Sequence, residues 1–391
     1  MQILIIPSWY SSKGLPSSGI FFRDQAVALS KLGGHYVVII DISFHGRKDL
    51  FNSNNFRFKY YNDEGVHVYS LKIPSFYILS RIHVIHNFIY RILLFYVYNR
   101  IIKKGIKFDI IHAHSYYPAG YHACYLASLE KIPLIITEHS SGIMQNHLKK
   151  REKKLLEYSL LHSKRFICVS EGLKLAINNM INLNNNLIVI PNMYSGIFHY
   201  SNVKKDKEIF QFISVGSLID RKRHAFTISC FNKAFKGMPN AKLIIIGDGE
   251  LYGDLKKQII ANDLTGKVEL IGQMSREEIK AMFHYCSVFV LNSSYETFGV
   301  VYIEALACGL PVIATKNGGA DCIVNETNGI LIDVDNEDQL INALKYIYHN
   351  IDKYDNKSIA VECKAKYSEE SVVRQLSTVY SEVLSGLFIE S

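Results

Sequence analysis

Residues 287–307 read "SVFVLNSSYETFGVVYIEALA". The run Val288–Leu291 is short, continuous and apolar, as a strand buried on both faces must be. A polar loop follows, then Gly299, then an apolar segment of helical character. Strand, loop and helix in that order form the half-unit of a doubly wound parallel sheet. The same unit recurs in both directions from this stretch. Upstream, near residue 205, a series begins with "FQFISVGS", "AKLIIIGDG" and "KVELIG"; downstream it continues with "LPVIAT" and "GILID". An earlier series holds "QILIIP", "HYVVIIDI", "FDIIHAH", "IPLIITEH", "RFICVS" and "NLIVIPN". Two series predict two α/β domains of Rossmann type. Segment 192–207, polar and irregular, is the predicted linker.

Composition agrees with this. A chain of 391 residues has room for two or three domains. At 48% hydrophobic and 20% charged residues it is a folding sequence rather than a disordered one. The opening "MQILIIPSWY" has no basic leader or small-residue cleavage site and reads as a first buried strand. The longest apolar run, at 82–98, is interrupted by Arg91, which argues against a membrane span. Seven cysteines without paired spacing predict neither a zinc site nor disulfides, and so a reducing, cytoplasmic setting. Charge is uneven, with net +12 over residues 1–200 and −4 over 201–391. That is either drift in surface composition or the mark of an anionic partner for the first half, such as a membrane surface.

In doubly wound sheets, ligands bind where strands end and helices begin. Glu296 falls in the loop after its strand, and Phe298, Gly299 and Val300 fall where the helix starts. Helix N-termini offer unpaired amides and a positive dipole to anions. Glu304, with seven residues between it and Glu296, lies about a turn into the helix, where a carboxylate can accept from two ribose hydroxyls. The chemistry points to a nucleotide sugar, with one carboxylate per sugar and amides for the phosphates. Taken alone, the spacing favours the plainer reading of a surface glutamate and a helix-capping one. Other strand ends add weight. Arg221, Lys222 and Arg223 follow "SVGSLID", where cations would face a diphosphate. His139 follows "LIITE" and Gly19 opens the first helix. Each of these alone has an ordinary structural reading.

Together the motifs resemble family 4 glycosyltransferases, which have the GT-B fold. The resemblance runs through "SGIFFRDQAVALSKLG", "ITEHSS", "VIPN", "IIGDGEL", "VELIGQMSREEIKAMF" and "YETFGVVYIEALACGLPVIATKNGGA". It implies two facing Rossmann-like domains with a cleft, 1–190 for the acceptor and 191–367 for the nucleotide sugar, and a C-terminal helix of about 368–391 that packs back on the first. Glu296 to Glu304 matches the family's E-x7-E signature. By resemblance, His139, Lys222 and Glu296 act on the reacting sugar and diphosphate. Gly19, Ser217, Arg221, Arg223, Met274, Phe298, Gly299, Val300 and Glu304 bind the donor. Ser217 stands where the family often has arginine, Asn292 where proline is frequent and Cys322 where glutamate is.

The implied reaction is transfer with retention from a UDP- or GDP-sugar to a saccharide, lipid-linked, in bacterial surface polysaccharide synthesis. Domain closure would bring the acceptor over the anomeric carbon. No cofactor, metal or nucleic acid is implied, and the enzyme would be cytoplasmic or peripheral on the inner membrane face. "DVD" at 333–335 imitates a metal-binding D-x-D but lies away from the phosphate loops in motif order. A nicotinamide oxidoreductase is disfavoured because "PSWYSSKG" replaces G-x-G-x-x-G after the first strand. A GT-B epimerase or phosphorylase, and a non-catalytic sugar-nucleotide binder, are the alternatives.

Overall fold

The computed structural model describes residues 1–10, 19–45, 57–74, 83–181, 187–203 and 208–386. The chain divides into two units. Unit 1 comprises Met1–Val169, Lys174–Pro191 and Val372–Ser391; unit 2 comprises Ser170–Leu173 and Asn192–Ser371. Each is a Rossmann-like layer of sheet and helices.

In unit 1 the strands are β1 (Gln2–Pro7), β2 (Tyr36–His45), β3 (Arg57–Asp63), β4 (Val66–Pro74), β5 (Ile110–His114), β6 (Leu134–Glu138), β7 (Arg165–Cys168) and β8 (Leu187–Val189). Their order is β3-β4-β2-β1-β5-β6-β7-β8. All neighbours are parallel except β3 and β4. Ile3, Leu4, Ile5 and Ile6 of β1 are wholly buried, as the unbroken apolar run requires.

The β3–β4 hairpin is absent from the sequence reading. The strand "RFKYYND" carries no apolar run, because it is an edge strand with one neighbour. Its signal is the turn: Glu64 and Gly65 both have positive φ (53° and 98°), the geometry of a two-residue I′ hairpin.

In unit 2 all six expected strands form: β9 (Phe210–Val215), β10 (Ala241–Ile246), β11 (Val268–Gly272), β12 (Val288–Leu291), β13 (Val312–Thr315) and β14 (Gly329–Ile332). Their order, β11-β10-β9-β12-β13-β14, is parallel throughout. The winding reverses between β9 and β12, which opens a crevice at their carboxyl ends.

The predicted linker is corrected in part. Met193, Tyr194 and Phe198 are buried in unit 2, Tyr194 N donates to Tyr367 O at 3.2 Å, and the Phe198 ring packs 6.0 Å from Phe283. Three large apolar side chains outweigh the polar average of the segment. Its residues 204–207 lie outside the described residues.

The last helix, Glu369–Ser385, begins in unit 2 and lies in unit 1 from Val372 onward. Val372, Val373, Leu376, Val379 and Tyr380 are buried. The Tyr380 hydroxyl is 2.7 Å from His112 Nδ1 on β5, and Ser377 Oγ is 3.0 Å from His35 Nε2.

Candidate active site

The crevice of unit 2 is built by the loops after β9 and β12. After β9 the chain makes a 3-10 turn, Asp220–Lys222, and enters the helix His224–Ala234. After β12 a polar loop leads to the helix Val300–Ala307. The two loops meet in an ion pair. Lys222 Nζ donates to Glu296 Oε1 at 2.5 Å, and both side chains are about nine-tenths buried. Burial by itself would raise the Glu296 carboxyl. The charge and hydrogen bond of Lys222, with Arg221 and Ser293, outweigh it and hold the group below the usual carboxylate range.

The backbone around this pair is laced to its neighbours. Glu296 N donates to Asn317 O at 3.0 Å, and Ser294 N to Arg221 O at 2.9 Å. Thr315 Oγ1 donates to Ser293 O at 2.5 Å. Asn317 Nδ2 donates to the buried Tyr302 hydroxyl at 3.0 Å, while its Oδ1 accepts from Gly319 N and Ala320 N. The carboxylate is therefore carried on a loop fixed from two sides.

Gly299 starts the next helix at φ 88°, and no side chain caps that helix. A β-carbon at Gly299 would sit 2.5 Å from the Tyr302 ring, so both the left-handed backbone and the space demand glycine. Phe298 is buried with its ring 5.8 Å from Tyr367, which seats the amide turn rather than exposing an aromatic face. Val300 is the first helical residue.

Glu304 lies one turn further on. Arg276 Nη2 is 3.3 Å from its Oε1. Arg276 is the first residue of the helix after β11, capped by Ser275, and half-buried Met274 precedes that cap. Sequence reasoning passed over Arg276, although the rule that singled out Lys222, a cation just past a strand end, applies to it. Asn317, Ser293 and Tyr302 were missed for a different reason. They act through backbone and loop contacts that no spacing rule encodes.

The remaining residues make other contacts. Arg223 donates through Nε to Asp335 Oδ1 at 3.0 Å and also through Nη2, so its guanidinium serves the loop after β14. Asp333 pairs with Lys316 at 2.9 Å. Both ends of the "DVD" imitation thus face cations. Arg221 lies with its guanidinium carbon 5.3 Å from the Tyr295 ring centre. Ser217 is exposed. Asn292, buried, donates to Thr227 Oγ1 at 2.9 Å. His224 is buried behind Lys222; burial, and then the Lys222 charge, push its pKa down to about 4.

In unit 1, His139 follows β6. Its Nε2 is 3.3 Å from His114 Nδ1, and Phe21 and Phe22 pack against its ring. His112, on the same strand as His114, bonds to Thr137 Oγ1 at 2.7 Å. Burial pushes both His139 and His112 down to about 3, so they are neutral at pH 7. The buried Glu138 accepts from the amides of Tyr116, His139 and Ser140, which holds the turn after β6 in place. Gly19, at φ 70°, heads the helix Ile20–Lys31.

Comparison with known proteins agrees with this architecture. Residues 19–194 match the model of Glycosyltransferase Family 4, and residues 198–360 match that of Glycosyl transferases group 1. The chain is 32% identical over 292 residues to an uncharacterized glycosyltransferase of Methanocaldococcus jannaschii, covering 73% of this chain and 78% of that protein. It is 29% identical over 266 residues to the UDP-Gal:alpha-D-GlcNAc-diphosphoundecaprenol alpha-1,3-galactosyltransferase of Escherichia coli, covering 63% and 67%. Among solved structures, HepE of Anabaena in complex with UDP superposes with a TM-score of 0.74 at 18% identity, over 98% of this chain and all of that one.

Proposed function

The chain belongs to the glycosyltransferases of group 1 and family 4, and from that premise we propose that it transfers a hexosyl or N-acetylhexosaminyl group from a nucleotide-diphosphate sugar to a saccharide acceptor. The observation that carries the proposal is the buried Lys222–Glu296 pair beside the uncapped helix at Gly299. A lysine and a row of amides suit a diphosphate, and a buried carboxylate next to them suits sugar hydroxyls.

In this reading the donor changes the partners of the pair. Lys222 leaves its lone contact with Glu296 and shares its charge with the diphosphate. Glu296 turns its accepting oxygens to the sugar. Glu304, oriented by Arg276, takes the ribose hydroxyls. As the bond from the anomeric carbon to the diphosphate breaks, charge grows on the leaving oxygen, where Lys222, Arg221 and the helix amides stabilise it. The acceptor oxygen bonds to the anomeric carbon on the face just vacated, and its proton passes to the diphosphate. The configuration is retained and no covalent enzyme intermediate is needed. The cations named here supply the neutralisation that a metal supplies elsewhere, so EDTA should leave turnover intact. His139 takes part as a neutral hydrogen-bonding group.

We further propose UDP as the nucleotide, a lipid-linked saccharide as the acceptor, and surface polysaccharide synthesis at the cytoplasmic membrane face as the setting. The printed name of the Escherichia coli relative, with a UDP-linked donor and a diphosphoundecaprenol acceptor, supports this. A thermal-shift screen over UDP- and GDP-sugars tests the donor. At about 100 times its dissociation constant a bound donor adds about 2.7 kcal/mol. Release of UDP on adding acceptor tests the transfer. Binding without release, with or without acceptor, would instead identify a sugar-nucleotide-binding protein.

A further inference from the structure

The helix His83–Ile102 of unit 1 hides one face and leaves the other bare. Tyr90, Leu94, Val97, Tyr98 and Ile101 are buried. Val84, Phe88, Ile92 and Tyr96 are exposed by 77%, 64%, 50% and 48%. These four recur at every fourth position, so they rise along the helix as one slanting row about 18 Å long, turning through about 120°. Before Asn99 the row is interrupted by no charged side chain. Arg91, the one cation inside the helix before that point, sits 3.5 Å over the Tyr125 ring on another side.

A row of this kind is not core, and among the described residues it has no cover. It is also not a span, since no described helix is long and apolar enough to cross a membrane. Its carboxyl end is cationic. Arg100 lies 5.3 Å over Tyr96 and 5.0 Å over Phe58 of β3, and Lys104 lies 5.1 Å over Tyr60. Exposed Lys103 adjoins them, and Tyr60 is itself half-exposed. Apolar side chains that run into cations backed by tyrosines match the layering of a bilayer edge, with hydrocarbon beside anionic headgroups. The net +12 of residues 1–200 has the sign that such a surface attracts.

We infer that the row Val84–Phe88–Ile92–Tyr96, with Arg100, Lys103 and Lys104, is the surface by which unit 1 docks on an anionic phospholipid bilayer. Docking by this face deepens the lipid-linked acceptor reading given above, on which it rests for the presence of a membrane.

Vesicle co-sedimentation of the full chain tests it, with phosphatidylcholine alone and with phosphatidylcholine mixed with phosphatidylglycerol. Binding to the mixed vesicles at low salt, and its loss toward ~0.5 M salt, is the expected result. The double variant Phe88→Ser, Ile92→Ser should weaken that binding about tenfold or more, since two side chains lose their apolar burial. Both side chains are at least half exposed, so the melting temperature should fall only slightly. Arg100→Gln with Lys104→Gln should weaken binding and flatten its salt dependence. Three results would overturn the inference: no binding to mixed vesicles, equal binding to neutral ones, or a dimer in solution that the double variant makes monomeric. Donor-dependent UDP release, read in parallel without vesicles, separates the two proposals. Release without docking removes only the membrane surface, and docking without release removes only the transferase assignment.

Discussion

The strand ends of the two units solve the same burial problem in opposite ways. In unit 2 the polar side chains stay charged and are matched, Lys222 with Glu296 and Arg276 with Glu304. In unit 1 the strand ends gather three imidazoles that burial keeps neutral, His112, His114 and His139, beside a Glu138 tied to backbone amides. A charged pair holds opposite charges ready for an anionic ligand, at the cost of desolvation. A neutral cluster avoids that cost and offers hydrogen bonds only. On the function proposed above, unit 2 is the one suited to a diphosphate.

The strongest test of the contrast is Lys222→Ala. It leaves Glu296 buried without its cation, and breaking such a pair costs about 3–5 kcal/mol. If Lys222 also stabilises the leaving group, turnover should fall about 100-fold or more. Urea unfolding and UDP release measure the two effects separately. The double variant Lys222→Met, Glu296→Gln removes both charges and should regain most of the stability while staying inactive. Full activity in the double variant would show that the pair is structural.

Acid comes next. His112 and His139 have folded pKa values near 3, below the unfolded value of about 6.5. Above 6.5 both states hold them neutral. As pH falls below 6.5 the unfolded chain binds protons that the folded chain refuses, so stability drops until pH reaches about 3. Two such groups give a slope of about 2.7 kcal/mol per pH unit at most. Glu296 acts in a lower window, because its depressed carboxyl loses its contribution only as pH falls below the ordinary carboxylate value. Unit 2 has one exception, His224, held near 4. Unfolding free energy measured from pH 7 to 5 should therefore fall, and should fall less steeply in His139→Asn. An unchanged slope in that variant would break the contrast.

How much of this was legible follows from the same physics. The inner strands of unit 2, β12 and β13 above all, announce themselves because they are buried on both faces and so read as unbroken apolar runs. Strand β3 of the β3–β4 hairpin does not, because an edge strand has no such need. Lys222 and Glu296 were legible as single residues at strand ends. Their pairing was not, since 74 residues separate them in sequence and only the winding of β9 beside β12 joins them. Arg276 was legible by rule and was overlooked. The bond of Arg223 to Asp335 depends on how the β14 loop folds, and no local pattern carries it.

Two smaller effects sharpen the picture. Gly299→Ala forces a side chain into a left-handed position against Tyr302 and should cost about 1–2 kcal/mol. A melting curve reports it, and nucleotide affinity should drop with it because the amide turn shifts. Arg276→Ala acts on the nucleotide only through Glu304 and should weaken nucleotide binding by roughly three- to tenfold, the worth of about one ordinary hydrogen bond, with little effect on stability. Equal affinity in calorimetry would release Glu304 from its ribose assignment.

The helix Glu369–Ser385 carries a consequence for how the protein is made. It supplies unit 1 with Val372, Leu376 and Tyr380, and Tyr380 meets His112 near the middle of that unit's sheet. On the ribosome, the segments before Val169 emerge ahead of unit 2, yet their core lacks a wall until the helix from Val372 follows. Unit 2 has all of its strands in hand by Ile332. The half that is synthesised first is thus the half that is completed last. Nascent chains arrested after residue 371 should yield a protease-resistant unit 2 and a digestible unit 1, and release of the remaining residues should close that window of vulnerability.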